Sequence, residues 1–175
     1  MRYGGNTSCL EVTAASRRLI LDAGTGIRTL GLDLARHTPV DIDIYFTHTH
    51  LDHLSGLTFF APLFDDRNSV RLWAGHLEPP HRLKQVVSNM MQAPIYPVTL
   101  DIFQATVGFK EFESGKSLTC GPLAMRTAPL NHPNGATGYR IEHEGKSICY
   151  VTDTEHREGE RDKTIVELCR GADVL

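Results

Sequence analysis

The sequence predicts one α/β domain over its 175 residues. Three observations predict it. Short β-branched runs alternate with stretches whose apolar residues recur at helical spacing. The apolar share of 41% and charged share of 22% match globular averages, with no low-complexity tract and no block of like charges. A chain of this size also buries roughly 70% of the surface it exposes when unfolded, so a core forms without disulfide staples.

Residues 9–13 and 18–21 are β-rich, and residues 27–36 carry apolar side chains at helical spacing. Between them lies the turn Asp22-Ala23-Gly24-Thr25-Gly26. Residues 42–46 alternate as a short strand that runs straight into a His cluster, and the apolar stretch 54–64 predicts a buried helix after it. The cluster is therefore expected on a strand-to-helix loop. Residues 70–73 read as another strand, 81–91 as an amphipathic helix entered just after Pro79-Pro80, and 94–97 as a proline-broken connection. The second half is richer in strands, at 106–113, 123–128, 139–143 and 147–152, the last two joined around the hairpin turn Glu144-Gly145-Lys146. A helix at 162–170 closes before Gly171, and residues 171–175 read as a loop leading into a further buried strand.

The formal charge of −3 excludes the broad basic field that supplies non-specific nucleic-acid affinity, though not a local basic groove. No run approaches the roughly 18 apolar residues of a membrane helix. Met1 to Ser8 is polar and glycine-rich, unlike a secretion signal, so a soluble, cytoplasmic protein is expected. Cys9, Cys120, Cys149 and Cys169 are too scattered for a Cys-x-x-Cys site and are expected as reduced, mostly buried thiols.

The chemistry concentrates in Thr47-His48-Thr49-His50-Leu51-Asp52-His53. In an extended segment residues i and i+2 point the same way, so His48 and His50 can aim two imidazoles at one ion, while Asp52 and His53, past the turn, serve a second. Imidazole nitrogen with carboxylate oxygen suits Zn2+, with Mn2+ and Fe2+ as alternatives.

This segment is similar to the His-x-His-x-Asp-His signature of the metallo-β-lactamase superfamily. Leu21-Asp22-Ala23-Gly24-Thr25-Gly26 resembles that family's early Asp-x-Gly turn, Asn131-His132-Pro133 its third-His loop, and Thr152-Asp153-Thr154 the strand-end Asp that bridges two metals. The resemblance implies an αββα sandwich and a hydrolase domain over residues 1–175. It implies His48, His50 and His132 on the first metal, Asp52 and His53 on the second, Asp153 bridging, and Asp22 behind the ligands. The family also supplies a further His to the second metal near its C-terminus. After Asp153 only His156 remains, three residues on, so a weaker second site and an incomplete C-terminal part are expected.

Two such metals activate water for hydrolysis, with Asp52 orienting that water and His156 a candidate acid for the leaving group. Asp153 stands where the best-known zinc lactamases carry Cys, which favours phosphodiesterase or thioesterase branches. Tyr3-Gly4-Gly5-Asn6-Thr7-Ser8-Cys9 and the stretch from His132 to Arg140 look most like the branch with ribonuclease Z and cyclic-nucleotide phosphodiesterases. The expected substrate is thus a small-molecule or nucleotide phosphodiester. The alternatives are a thioesterase or lactonase of the same fold, or a catalytically impaired metal-containing binding module. A homodimer could form through an unpaired sheet edge.

Overall fold

A computed structural model describes residues 4–175; Tyr3, the first residue of the opening segment considered above, lies outside the described residues. β1 (Leu10–Ala14) and β2 (Arg17–Leu21) form an antiparallel hairpin, after which β2, β3 (Asp41–Phe46), β4 (Ser69–Ala74) and β5 (Thr106–Glu111) run parallel in the order β1-β2-β3-β4-β5. The second sheet is antiparallel: β6 (Ser117–Cys120), β7 (Leu123–Leu130), β8 (Ala136–His143) and β9 (Lys146–Tyr150). Glu144 and Gly145 at φ 47° and 75° turn the β8–β9 hairpin, the conformation a tight primed turn requires.

Period-two alternation decides which side chains reach which layer. On β3, Ile42, Ile44 and Phe46 face the helices, where Ile27 and Leu34 of α1 (Ile27–Leu34) and Leu83 and Val87 of α3 (Leu83–Met90) close over them. Tyr45, with Leu19 and Leu21 of β2, faces the other way and packs on Met125, Tyr139 and Ile141 of the second sheet. On that sheet's outer face α4 (Lys163–Cys169) covers β7 and β8, its N-terminus capped by Asp162 accepting from Ile165 N at 3.0 Å. Helix, sheet, sheet, helix is the expected αββα order.

The buried helix expected at 54–64 is broken. A single turn, α2 (Leu51–Leu54), gives way to 3₁₀ turns at Ser55–Phe59 and Ala61–Phe64, the second opened by a proline in its first turn. Gly56 sits where a Cβ would stand 2.0 Å from the Gly24 carbonyl oxygen, and its N–H donates to Ala23 O at 2.9 Å. Close backbone approach therefore replaces helical continuity here. Gly56→Ala is expected to lower stability by about 3 kcal/mol, read by urea denaturation, because the neighbouring backbone cannot give way. β6 is an element that the sequence reading passed over.

At the far end of β3, Asp43 is buried among Arg17, Arg71, Trp73 and Cys120. Burial alone would raise its carboxyl pKa. Hydrogen bonds from Arg71, Trp73 and Cys120 and the charge of Arg71 outweigh that and hold it below the ordinary aspartate range. A depressed folded pKa contributes stability above the unfolded value and loses it as pH falls through the folded one. Asp43→Asn should therefore cost about 2 kcal/mol at neutral pH, and the gap from wild type should close below about pH 4 in pH-dependent denaturation.

Candidate metal centre

β3 ends at Phe46, and the chain then passes Thr47, His48, Thr49 and His50 before α2 starts at Leu51. The backbone of Thr47 is pinned: its N–H donates to Asp22 Oδ1 at 2.7 Å, and Thr47 O accepts from Thr137 N at 2.8 Å. The loop is thereby held between the two sheets.

Four imidazoles converge there. The rings of His50, His53 and His132 lie 4.5, 4.2 and 4.7 Å from that of His48, centroid to centroid. Donor atoms of His48, His50 and His132 lie within 4.8 Å of one another, and the same holds for His48, His53 and Asp153. A tetrahedral zinc with its usual bond lengths sets its ligand atoms about 3.4 Å apart, so both groups suit an ion. Asp153 Oδ2 stands 2.6 Å from His53 Nε2 and 3.9 Å from His48 Nε2. Its φ of 48° is unusual for a residue with a side chain, one that Asp tolerates better than most.

The cluster is oriented from behind. Asp22, fully buried at φ 61°, accepts from His53 Nδ1 at 2.8 Å, from Thr47 Oγ1 at 2.9 Å and from Tyr150 OH at 3.1 Å. With Nδ1 of His53 engaged there, Nε2 is the ring atom turned toward Asp153. The Thr47 hydroxyl also lies 3.1 Å from His48 Nδ1, which leaves Nε2 of that ring facing the cluster. Burial pushes the Asp22 pKa up, and hydrogen bonds from His53 and Thr47 only partly offset it. Burial disfavours a charged His53, yet Asp22 first and then Asp153 and Asp52 outweigh it and leave its pKa raised. His48 is driven down to about 3 by burial and by the neighbouring imidazoles.

These observations fit a divalent ion. His50 Nδ1 and His132 Nε2 lie 3.0 Å apart, close enough for both to reach one cation. His132 Nδ1 is buried with no partner among the described residues.

Of the residues singled out in the sequence, His48, His50, His53, His132 and Asp153 are brought together. Asp52 lies at the open margin, its side chain 59% exposed and its Oδ2 3.5 Å from His53 Nε2, and it falls outside both compact groups. His156 is exposed and lines a separate hollow of 490 Å³ beside Asn131 and Arg157. Arg140 turns away: its guanidinium bonds Leu168 O and Arg170 O at the end of α4. The loop of Gly4 to Ser8 is an ordinary interlock, with Thr7 N and Thr25 N each bonded to the other threonine's hydroxyl. The sequence reading gave His76 no role. It is buried just past β4 with Nε2 3.1 Å from Thr49 Oγ1, and burial followed by the charge of His50 lowers its pKa to about 4.

A parallel-centred sheet and an antiparallel sheet between helices, with a His and Asp cluster at the strand ends, define a metallo-β-lactamase-fold protein. The chain belongs to the beta-lactamase superfamily domain family, whose model matches residues 17–175. Among curated proteins it is 25% identical over 138 residues to ribonuclease Z of Clostridium acetobutylicum, covering 78% of this chain and 44% of that protein. It is 27% identical over 158 residues to ribonuclease TTHA0252 of Thermus thermophilus, covering 83% and 34%. The chain thus spans less than half the length of these relatives.

Solved structures share the fold. A diphosphatase from the PhnP family superimposes with a TM-score of 0.64 at 20% identity, over 95% of this chain and 58% of that one. YhfI from Bacillus subtilis, a metallo-β-lactamase fold protein, gives 0.61 at 15%, over 96% and 63%. The short form of human tRNase Z gives 0.60 at 17%, over 96% and 70%.

Proposed function

We propose that the chain is a metal-dependent hydrolase acting on a phosphodiester. The observation that carries this reading is the pair of donor groups, His48, His50 and His132 beside His48, His53 and Asp153, meeting at one site. The ribonuclease names of its relatives and the diphosphatase among its structural neighbours support the substrate class.

His48, His50 and His132 would hold a first zinc, and His53 and Asp52 a second, with Asp153 shared between them. Such ions supply Lewis acidity and bring the pKa of water toward neutrality. Asp22 keeps His53 in the tautomer that offers Nε2, and Thr47 does the same for His48. Asp52, at the open margin, would accept a proton of the attacking water and hold its oxygen toward phosphorus. The leaving oxygen takes a proton from solvent, since His156 lines a separate hollow. The second site has fewer ligands than the first and should fill at higher metal concentration.

The test joins metal analysis with substrate panels. Purified protein should carry zinc in stoichiometric amount, hydrolyse bis(p-nitrophenyl) phosphate, and prefer it to thioesters and lactones. Protein that holds no stoichiometric metal would overturn the reading, and a preference for thioesters or lactones would move it to that branch.

A further inference from the structure

A trough leads from His50 along the segment after β4. It consists of two hollows, of about 680 and 530 Å³, which share His76, Glu78 and Gly135. Either volume lies in the range of small-molecule sites. The first is also lined by Thr49, His50 and Asn134, so the trough opens onto the proposed metal centre. Parallel pairing sets this up: Phe46 stands opposite Ala74, so the chain leaving β4 passes the His48–His50 segment two residues later. Gly75 makes the passage possible, because a Cβ there would stand 2.4 Å from the Phe112 ring.

Among the described residues, two polar groups of the trough have no partner. His76, 9% exposed, is held through Nε2 to Thr49 Oγ1, while its Nδ1 is buried and unbonded. Ser114 Oγ, in the second hollow, is likewise buried and unbonded. Buried polar atoms are nearly always paired, and two orphans along one trough beside a reactive centre point to a ligand that pairs them. Charge narrows its class. The guanidinium in the trough, Arg82, is closed onto Glu111 at 2.7 Å, Glu113 is paired with Lys116 at 3.3 Å, and Glu78 and His81 complete the charged and titratable lining. Such a wall offers a phosphate no free guanidinium, whereas a neutral, hydroxyl-bearing group needs none.

We propose that this trough seats a nucleoside-like ester group of the substrate and that His76 is its positioning residue, presented by Thr49 and bonding that group through Nδ1. The assignment rests on the phosphodiester reading for the reaction, but its binding consequence does not. With the zinc-loaded protein, calorimetric titration should show His76→Ala binding thymidine 5′-monophosphate about tenfold more weakly than wild type, one lost hydrogen bond, with affinity for inorganic phosphate changed less than about twofold. His76→Asn, whose amide nitrogen takes the place of Nδ1, should recover most of the loss. Thr49→Val, which frees the ring without removing it, should weaken the nucleotide about threefold. In kinetics, His76→Ala should raise KM for thymidine 5′-(p-nitrophenyl phosphate) about tenfold, and should raise KM for bis(p-nitrophenyl) phosphate, which lacks the nucleoside, by a much smaller factor. Equal nucleotide affinity in wild type and His76→Ala, no nucleotide binding by wild type, or parallel loss of nucleotide and phosphate would each overturn the assignment. Absence of hydrolysis by wild type, with nucleotide binding still dependent on His76, would instead overturn the reaction and leave the trough standing.

Discussion

His50→Ala is expected to abolish hydrolysis of bis(p-nitrophenyl) phosphate, lowering kcat/KM by about a thousandfold, roughly 4 kcal/mol of transition-state stabilisation. His50 supplies the ring nitrogen 3.0 Å from His132 Nε2 and completes the group with His48. Without it the first site keeps two imidazoles and the shared Asp153 carboxylate, a weaker and more open set than the three imidazoles it is built around. Metal and activity should therefore fall together, the first measured by elemental analysis and the second by initial rates. The fold should persist, because His50 lies at the surface of the site and its loss leaves the Thr47–Asp22 anchor intact. A His50→Ala protein that keeps both metal and rate would remove the ground for the proposed reaction. His37→Ala, in the turn after α1, serves as the control that should change neither.

How much of this was legible depends on the distance in sequence over which each feature is encoded. His48 to His53 could be read directly, since six consecutive residues carry their own geometry: an extended pair, then a turn. His132 and Asp153 are far away, and nothing in their local sequence specifies a ligand; the resemblance to a known signature placed them, and β7 and β9 bring them to the cluster. The parallel strands were readable because both of their faces are buried, which leaves near-continuous apolar runs such as Leu19-Ile20-Leu21. The stretch after Asp52 misled because its composition is that of a buried helix, whereas the contact of Gly56 with the Gly24 carbonyl is a tertiary fact. β6 was missed because four residues, half of them exposed, give no period. His76 was missed for the same kind of reason: its place beside Thr49 follows from the β3–β4 register, and the one local signal was a glycine just before it at a strand end.

Asp22 tests whether the orientation of the cluster or its bare composition determines metal binding. Asp22→Ala removes the acceptor for Thr47 N, Thr47 Oγ1, His53 Nδ1 and Tyr150 OH at a fully buried position. Breaking a buried charged network by deleting one partner costs about 3–5 kcal/mol, so the metal-free variant should unfold at markedly lower urea concentration. Asp22→Asn separates stability from metal binding. The amide oxygen can still accept from Thr47 N, which should restore most of the stability, but the –NH2 then faces His53 Nδ1. A donor there makes Nδ1 the acceptor and moves the ring proton to Nε2, the atom that faces Asp153 at 2.6 Å. Zinc at the second site must displace that proton, and its affinity should fall about 10- to 100-fold while the first site, held through His48, His50 and His132, fills as before. Competitive titration with a chromophoric chelator resolves the two affinities. An Asp22→Asn protein that binds both ions as tightly as wild type would mean that the ligands alone, without the hydrogen bonds behind them, determine metal affinity.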